Sequence, residues 1–250
     1  MRPTLRRALP TLFVLCILAF APAAFADSVT LTPAADNTLF ESTTGATSDG
    51  AGATMFVGRT NQVSNFRRRG LVRFDVAAAV PAGSTIQSVT LTLFNSQAAS
   101  PADQTIELHA VLASWGEGAS NAGISGGTGA PSQPGDATWK HRFFSGTLWT
   151  ALGGDFAPAA TATLPVGAEG SYTWATSPAL VAAVQGWLDA PATNFGWLLL
   201  GNEAVAATTK RFDTRESADP ATRPALTITY EAPATAALGT TWGRIKGLYR

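Results

Sequence analysis

Short segments with a period of two recur along this chain, cut apart by turn residues, and that pattern restricts the fold more than any other feature. In residues 71–76, Val72, Phe74 and Val76 share one face while Leu71, Arg73 and Asp75 share the other. Residues 86–94 place Val89, Leu91 and Leu93 opposite Thr90 and Thr92. Residues 28–32, 54–58, 106–112, 172–174 and 226–230 read the same way, with Pro81-Ala82-Gly83-Ser84 and Pro101-Ala102-Asp103 as turns between them. A period of two is what a half-buried strand requires. Many such strands at this spacing specify an all-β sandwich or barrel. Residues 195–200 are apolar on both faces, which predicts a central strand covered on both sides. The departure from the pattern is residues 178–188, where Leu180, Val184, Trp187 and Leu188 fall at helical spacing behind Ser177 as a cap and Pro178 at the first position. One short helix lying across an end of the sandwich follows. No sequence block repeats.

The N-terminal segment has a different character. Arg2, Arg6 and Arg7 precede an apolar run over residues 9–20, and Ala24-Phe25-Ala26 supplies small residues where a signal peptidase reads. Residues 1–26 are therefore expected to be a signal peptide, and the protein to be secreted or held at the cell surface. Cys16, the one cysteine, leaves with it, so the mature chain carries no disulfide, thiolate nucleophile or cysteine metal site. Removing the three arginines leaves 14 basic against 17 acidic residues, a net of −3, which excludes nucleic acid as an electrostatic partner. After Glu231 the composition turns to Ala, Pro and Thr, a linker over 231–239. Residues 240–250 form a basic amphipathic tail, either a docking tag for a cell-envelope partner or an unstructured terminus.

Catalytic sets are scarce. His109 and His141 are the only histidines, and neither an H-E-x-x-H pattern nor a close pair occurs. His109 reads as a strand-surface or second-layer residue. Gly123-Ile124-Ser125-Gly126-Gly127 matches G-x-S-x-G, but loop lies on both sides where a strand and a helix are needed. No spacing selects two carboxylates for glycoside hydrolysis. A non-catalytic protein is the expectation, with a polysaccharide hydrolase or lyase as the alternative.

Two kinds of binding chemistry remain. Asp36, Asn37, Glu41 and Asp213 lie near strand ends and suit a structural Ca2+, with ion pairing to Arg211 or Arg215 and an Asx turn as the competing account. Of seven tryptophans, Trp187 and Trp197 have core explanations. Trp139 and Trp149 sit in loop-like sequence beside Lys140, His141 and Arg142, a set that could stack on a sugar and contact polar or anionic groups. The alternative is that these rings plug an end of the sandwich.

Asp36-Asn37-Thr38-Leu39-Phe40-Glu41 resembles the segment that names the DNRLRE domain, with Thr38 and Phe40 where that family has its two arginines. The resemblance continues through Arg68-Arg69-Gly70-Leu71-Val72-Arg73-Phe74-Asp75, Trp115-Gly116-Glu117-Gly118, Gly135-Asp136-Ala137-Thr138-Trp139, Gly153-Gly154-Asp155-Phe156, Asn194-Phe195-Gly196-Trp197 and the block 210–216, across residues 27–230. It implies a single antiparallel jelly-roll-like β-sandwich, similar to carbohydrate-binding modules described for alginate and related polysaccharides in secreted bacterial proteins. A monomeric module recognising a polysaccharide, acidic ones included, is therefore expected. A structural or adhesive surface protein attached through the tail is the alternative. In the 210–216 block, Phe212 should point into the core, and Arg211, Asp213 and Arg215 should share the opposite face. The block is expected to close the sandwich away from any sugar platform.

Overall fold

The computed structural model describes residues 26–123 and 126–233. Residues 1–25 of the signal segment, Ser125 of the G-x-S-x-G match, residues 234–239 of the linker and the C-terminal tail lie outside them. The chain forms an all-β fold. In the first half, β1 is Ala26–Leu31, β2 Ala35–Phe40, β3 Thr47–Ser48, β4 Thr54–Arg59, β5 Arg67–Arg73, β6 Thr85–Ala98 and β7 Gln104–Val111. In the second, β8 is Ala130–Pro131, β9 His141–Phe143, β10 Thr147–Leu148, β11 Phe156–Val166, β12 Gly170–Trp174, β13 Trp197–Leu200, β14 Lys210–Asp213 and β15 Ala225–Glu231.

One large antiparallel sheet runs β1-β15-β6-β14-β4-β5-β13-β7-β11 and curls back on itself, with β12 added to β6 and β2 to β5. The short strands form two separate pairs, β10 with β9 and β3 with β8. The curl creates two layers, with β4 as the corner: it pairs with β14 in one layer and with β5 in the other. Alternation in sequence becomes alternation in burial. Every second residue of β15 is buried, and Val89, Leu91 and Leu93 of β6 are fully buried. They meet Val72, Ile106, Leu108, Trp174, Trp197 and Phe212 in the main core. Each fully buried large side chain contributes roughly 1.5–3 kcal/mol.

β13 is covered on both faces, as its composition predicts. Trp197 and Leu199 enter the main core, while Leu198 enters a second cluster with Leu39, Leu71, Trp115, Trp139 and Trp149. That second cluster is the long segment after β7 folded onto the outer face of β2, β5 and β13. Gly196 (φ +78°) makes the entry to β13 feasible, since a Cβ there would lie 2.1 Å from the Val72 carbonyl oxygen.

The predicted helix is α2, Pro178–Asp189, capped by the Ser177 hydroxyl and burying Leu180, Val184, Trp187 and Leu188. It lies across one end of the core, where Gln185 accepts from Ile86 N–H (2.8 Å) and Trp187 meets Trp197 at 4.4 Å between ring centroids. A second helix, α1, Val76–Ala79, corrects the expectation of one. It also shortens the strand expected over 71–76: β5 ends at Arg73, and the Asp75 carboxylate caps α1 by accepting from Ala78 N–H.

Candidate functional site

The residues expected to form a sugar platform do not make one. Trp139 and Trp149 are 3% and 5% exposed and belong to the second core cluster. Trp149 donates its indole N–H to the Thr138 carbonyl (2.8 Å). Guanidinium carbons of Arg69 and Arg67 lie 4.6 and 5.3 Å from the centre of the Trp139 ring. Arg69 is held there by Glu203 (2.7 Å) and by the Gly153 carbonyl (2.7 Å). A ring covered in this way has no face for a sugar. His141 is also buried, against Thr138 (3.1 Å) and edge-on to Phe144; burial, with Lys140 beside it, pushes its imidazole below the usual value. Arg142 donates to the Ser114 carbonyl (2.9 Å), and Lys140 is half-buried. The rings plug the sandwich, the alternative the sequence left open. His109 is a second-layer residue: its Nδ1 lies 2.8 Å from the Ala157 carbonyl oxygen, and Phe156 packs on its edge.

The four residues proposed to hold a cation are also dispersed. Glu41 forms an ion pair with Arg67 (2.6 Å); burial alone would raise its carboxyl, but the Arg67 hydrogen bonds hold it below the ordinary value. Asn37 is buried, accepts from Asp49 N–H (3.2 Å) and donates to the Glu117 carbonyl (2.8 Å), so its amide fastens β2 to two loops. Asp213 accepts from the hydroxyls of Ser217 (3.2 Å) and Thr222 (2.5 Å). Asp36 alone keeps acidic company. Its carboxylate, Glu117 and Glu216 have oxygens within 4.8 Å of one another. Burial drives the Asp36 carboxyl well above the ordinary range, with Glu216 and Glu117 adding to the rise, and burial likewise lifts Glu216. Glu117 is placed by the turn after Trp115, where a Cβ on Gly118 (φ +79°) would lie 1.6 Å from Asp136 Oδ1.

Phe212 is fully buried, as strand alternation requires, which turns its neighbour Arg211 to the outer face. Arg211 is directly opposite Phe56 of β4 on one side and Gln97 of β6 on the other. The three therefore form a row across adjacent strands. They line a groove of about 160 Å³ together with Thr60, Thr209 and Gly127. Arg211 is held at Nε by the Ser96 hydroxyl (3.1 Å) and at Nη2 by the Ser96 carbonyl (3.2 Å), which fixes the plane of its guanidinium. Arg68 donates to the Gly127 carbonyl (3.4 Å) and ties down the loop at the rim; burial lowers this arginine to about 10.

A larger groove of about 550 Å³ lies by Leu112, Ala151 and Phe156. Its one carboxylate, Asp155, is spent on the N–H groups of Thr150 and Ala151 (both 2.9 Å). It offers mostly apolar wall, whereas the β4-β14-β6 row sets the planar hydrogen-bonding groups of Arg211 and Gln97 beside the largely buried ring of Phe56, 9% exposed. The row arises from register between strands far apart in sequence, and its one signal in the sequence is the alternation that turns Arg211 away from the core.

Residues 27–121 match the model of carbohydrate-binding module family 96, a span of less than half the chain. Among curated proteins no match was found. The match supports a carbohydrate-binding module, and it includes Phe56, Thr60 and Gln97 of the row while leaving out Arg211 and Thr209.

Proposed function

With that match as the premise, we propose that the protein is a secreted, non-catalytic module of the DNRLRE kind that binds a polysaccharide along the row Phe56–Arg211–Gln97. The observation that carries the reading is the cross-strand register of Arg211 with both neighbours. A glycan is recognised by planar hydrogen-bonding groups set beside apolar surface, and weakly hydrated planar guanidinium groups suit both functions. Phe56, 9% exposed, supplies apolar surface at the base of the groove, Gln97 and the Thr60 hydroxyl are the neutral partners, and Arg211 is a fork matched to a carboxylate. An acidic polysaccharide is therefore the ligand class that uses every group in the row. This revises the expectation that the 210–216 block stands apart from the sugar site.

Affinity electrophoresis through gels containing neutral or acidic polysaccharides tests the assignment. Arg211→Ala and Gln97→Ala are half-buried or exposed changes that leave the core alone. On a retarding glycan Arg211→Ala should lose about tenfold in affinity, roughly 1.4 kcal/mol. Phe156→Ala, in the larger groove, should leave retardation unchanged. Wild-type retardation of both row variants, or loss only with Phe156→Ala, would remove the row from consideration.

A further inference from the structure

Some charges of this domain meet in matched pairs, Glu41 with Arg67 and Glu203 with Arg69. Around Asp36 they do not balance. Asp36 on β2, Glu117 after β7 and Glu216 after β14 bring three carboxylates to one point, served among the described residues by the one guanidinium of Arg215. Arg215 is consumed there. Its Nε donates to Glu117 (2.8 Å) and lies 2.9 Å from Glu216 Oε1, and its Nη2 donates to Glu117 Oε2 (2.5 Å). Two backbone donors serve the rest: Arg215 N–H to Asp36 Oδ2 (3.0 Å) and Asp36 N–H to Glu117 Oε1 (2.9 Å).

Two oxygens remain unserved. Among the described residues, Asp36 Oδ1 and Glu216 Oε2 are both buried with no hydrogen-bond partner, and the Asp36 side chain is wholly inaccessible. Asp49, also buried, has a third such oxygen, Oδ2. A buried ionised oxygen without a donor is costly, and folded proteins resolve the cost with a cation or a proton.

We propose that Asp36, Glu117 and Glu216 bind a divalent hard cation, Ca2+, which ties β2 to the segments after β7 and β14. The donor chemistry selects the ion. All the donors are oxygen, and neither histidine is in the group, which disfavours zinc. Ca2+ accepts carboxylates in irregular arrangements with carbonyls and water completing six to eight ligands, whereas Mg2+ demands a near-octahedral shell. Against one arginine, three carboxylates leave a net of two negative charges, which one Ca2+ neutralises. The set differs from the one the sequence suggested, sharing only Asp36 with it.

Calorimetric titration of CaCl2 into the full mature chain, stripped with EDTA, measures binding directly. Thermal unfolding with and without CaCl2 measures its linkage to folding. Saturable binding is expected. At calcium a hundredfold above its dissociation constant the gain is about 2.7 kcal/mol, read as a rise in Tm of roughly 5–11 °C. Glu216→Gln and Asp36→Asn should each weaken the calcium midpoint at least tenfold, while Glu41→Gln should not move it. Absence of heat and of a Tm shift in the wild-type protein would overturn the proposal and leave protonation of the buried carboxyls as the resolution. Undiminished calcium binding in folded Glu216→Gln or Asp36→Asn would overturn it too, by placing the ion elsewhere. The wild-type titration stands whether or not Asp36→Asn folds.

Discussion

Lys210 is fully buried on β14, and its ammonium is in no ion pair among the described residues. It donates instead to three carbonyls, those of Ser100 (2.8 Å), Ala102 (3.0 Å) and Gly167 (2.6 Å), and so staples the β6–β7 turn to the β11–β12 turn. Burial lowers its value below that of an ordinary lysine, with Asp103 opposing. Lys210→Met keeps the apolar stem and deletes the donor. Gly167 retains a partner, because Asn95 Nδ2 also donates to it (3.3 Å). The carbonyls of half-buried Ser100 and exposed Ala102 lose a bond to a charged donor, worth about 1.5–3 kcal/mol each. Relief from burying an ammonium returns part of that. The net expectation is a loss of about 2 kcal/mol. With a urea m-value near 2 kcal/mol/M, the midpoint should fall by about 1 M at unchanged m. An unchanged or higher midpoint would refute the reasoning, since it would mean that desolvating the ammonium costs more than its three bonds return.

Two further outcomes can be checked. Burial, with Asp136 and Glu216 adding, raises the Asp49 carboxyl from 3.8 to about 6, so the folded state binds more protons than the unfolded one between those values. Its contribution is fully present below about pH 4 and is lost as pH rises through 6, so in EDTA the wild type should gain up to about 3 kcal/mol relative to Asp49→Asn between pH 7 and pH 4, measured by urea unfolding at each pH. Trp139→Ala should cost about 3–5 kcal/mol of stability yet leave polysaccharide retardation unchanged at temperatures where the variant is folded; weaker retardation by folded protein would restore Trp139 to the binding surface.

Much of the fold can be read from the chain because alternation is a local property. Val89, Leu91 and Leu93 in β6, Phe212 in β14 and the two-faced β13 are placed by counting residues. So is α2, whose apolar stripe and Ser177 cap both lie within a few turns. The edge strand β11 escapes such a reading: it is rich in alanine and threonine and contains Pro158 and Pro165, as exposed edges tolerate. The fate of Trp139 and Trp149 is illegible for another reason. Irregular sequence carries no period, so nothing local tells a loop that projects from one that folds back onto a sheet. The acidic cluster depends on contacts such as Asp36 to Glu117, 81 residues apart, and Asp36 to Arg215, 179 residues apart. Its members do stand in three of the blocks that carry the DNRLRE resemblance, around Asp36, Glu117 and Glu216. That recurrence was the available signal.

The pairing of β1 with β15 has a mechanical consequence. Ala26 faces Glu231 and Leu31 faces Leu226, so the outer ends of the two strands lie side by side at one end of their ladder. Tension applied between those ends opens the rungs in succession, as a zipper opens, instead of shearing them together. β1 is an outermost strand and contributes only the partly buried Val29 and Leu31 to the core. Under load it should peel away at low force, while the β15–β6 pairing beneath it stays closed.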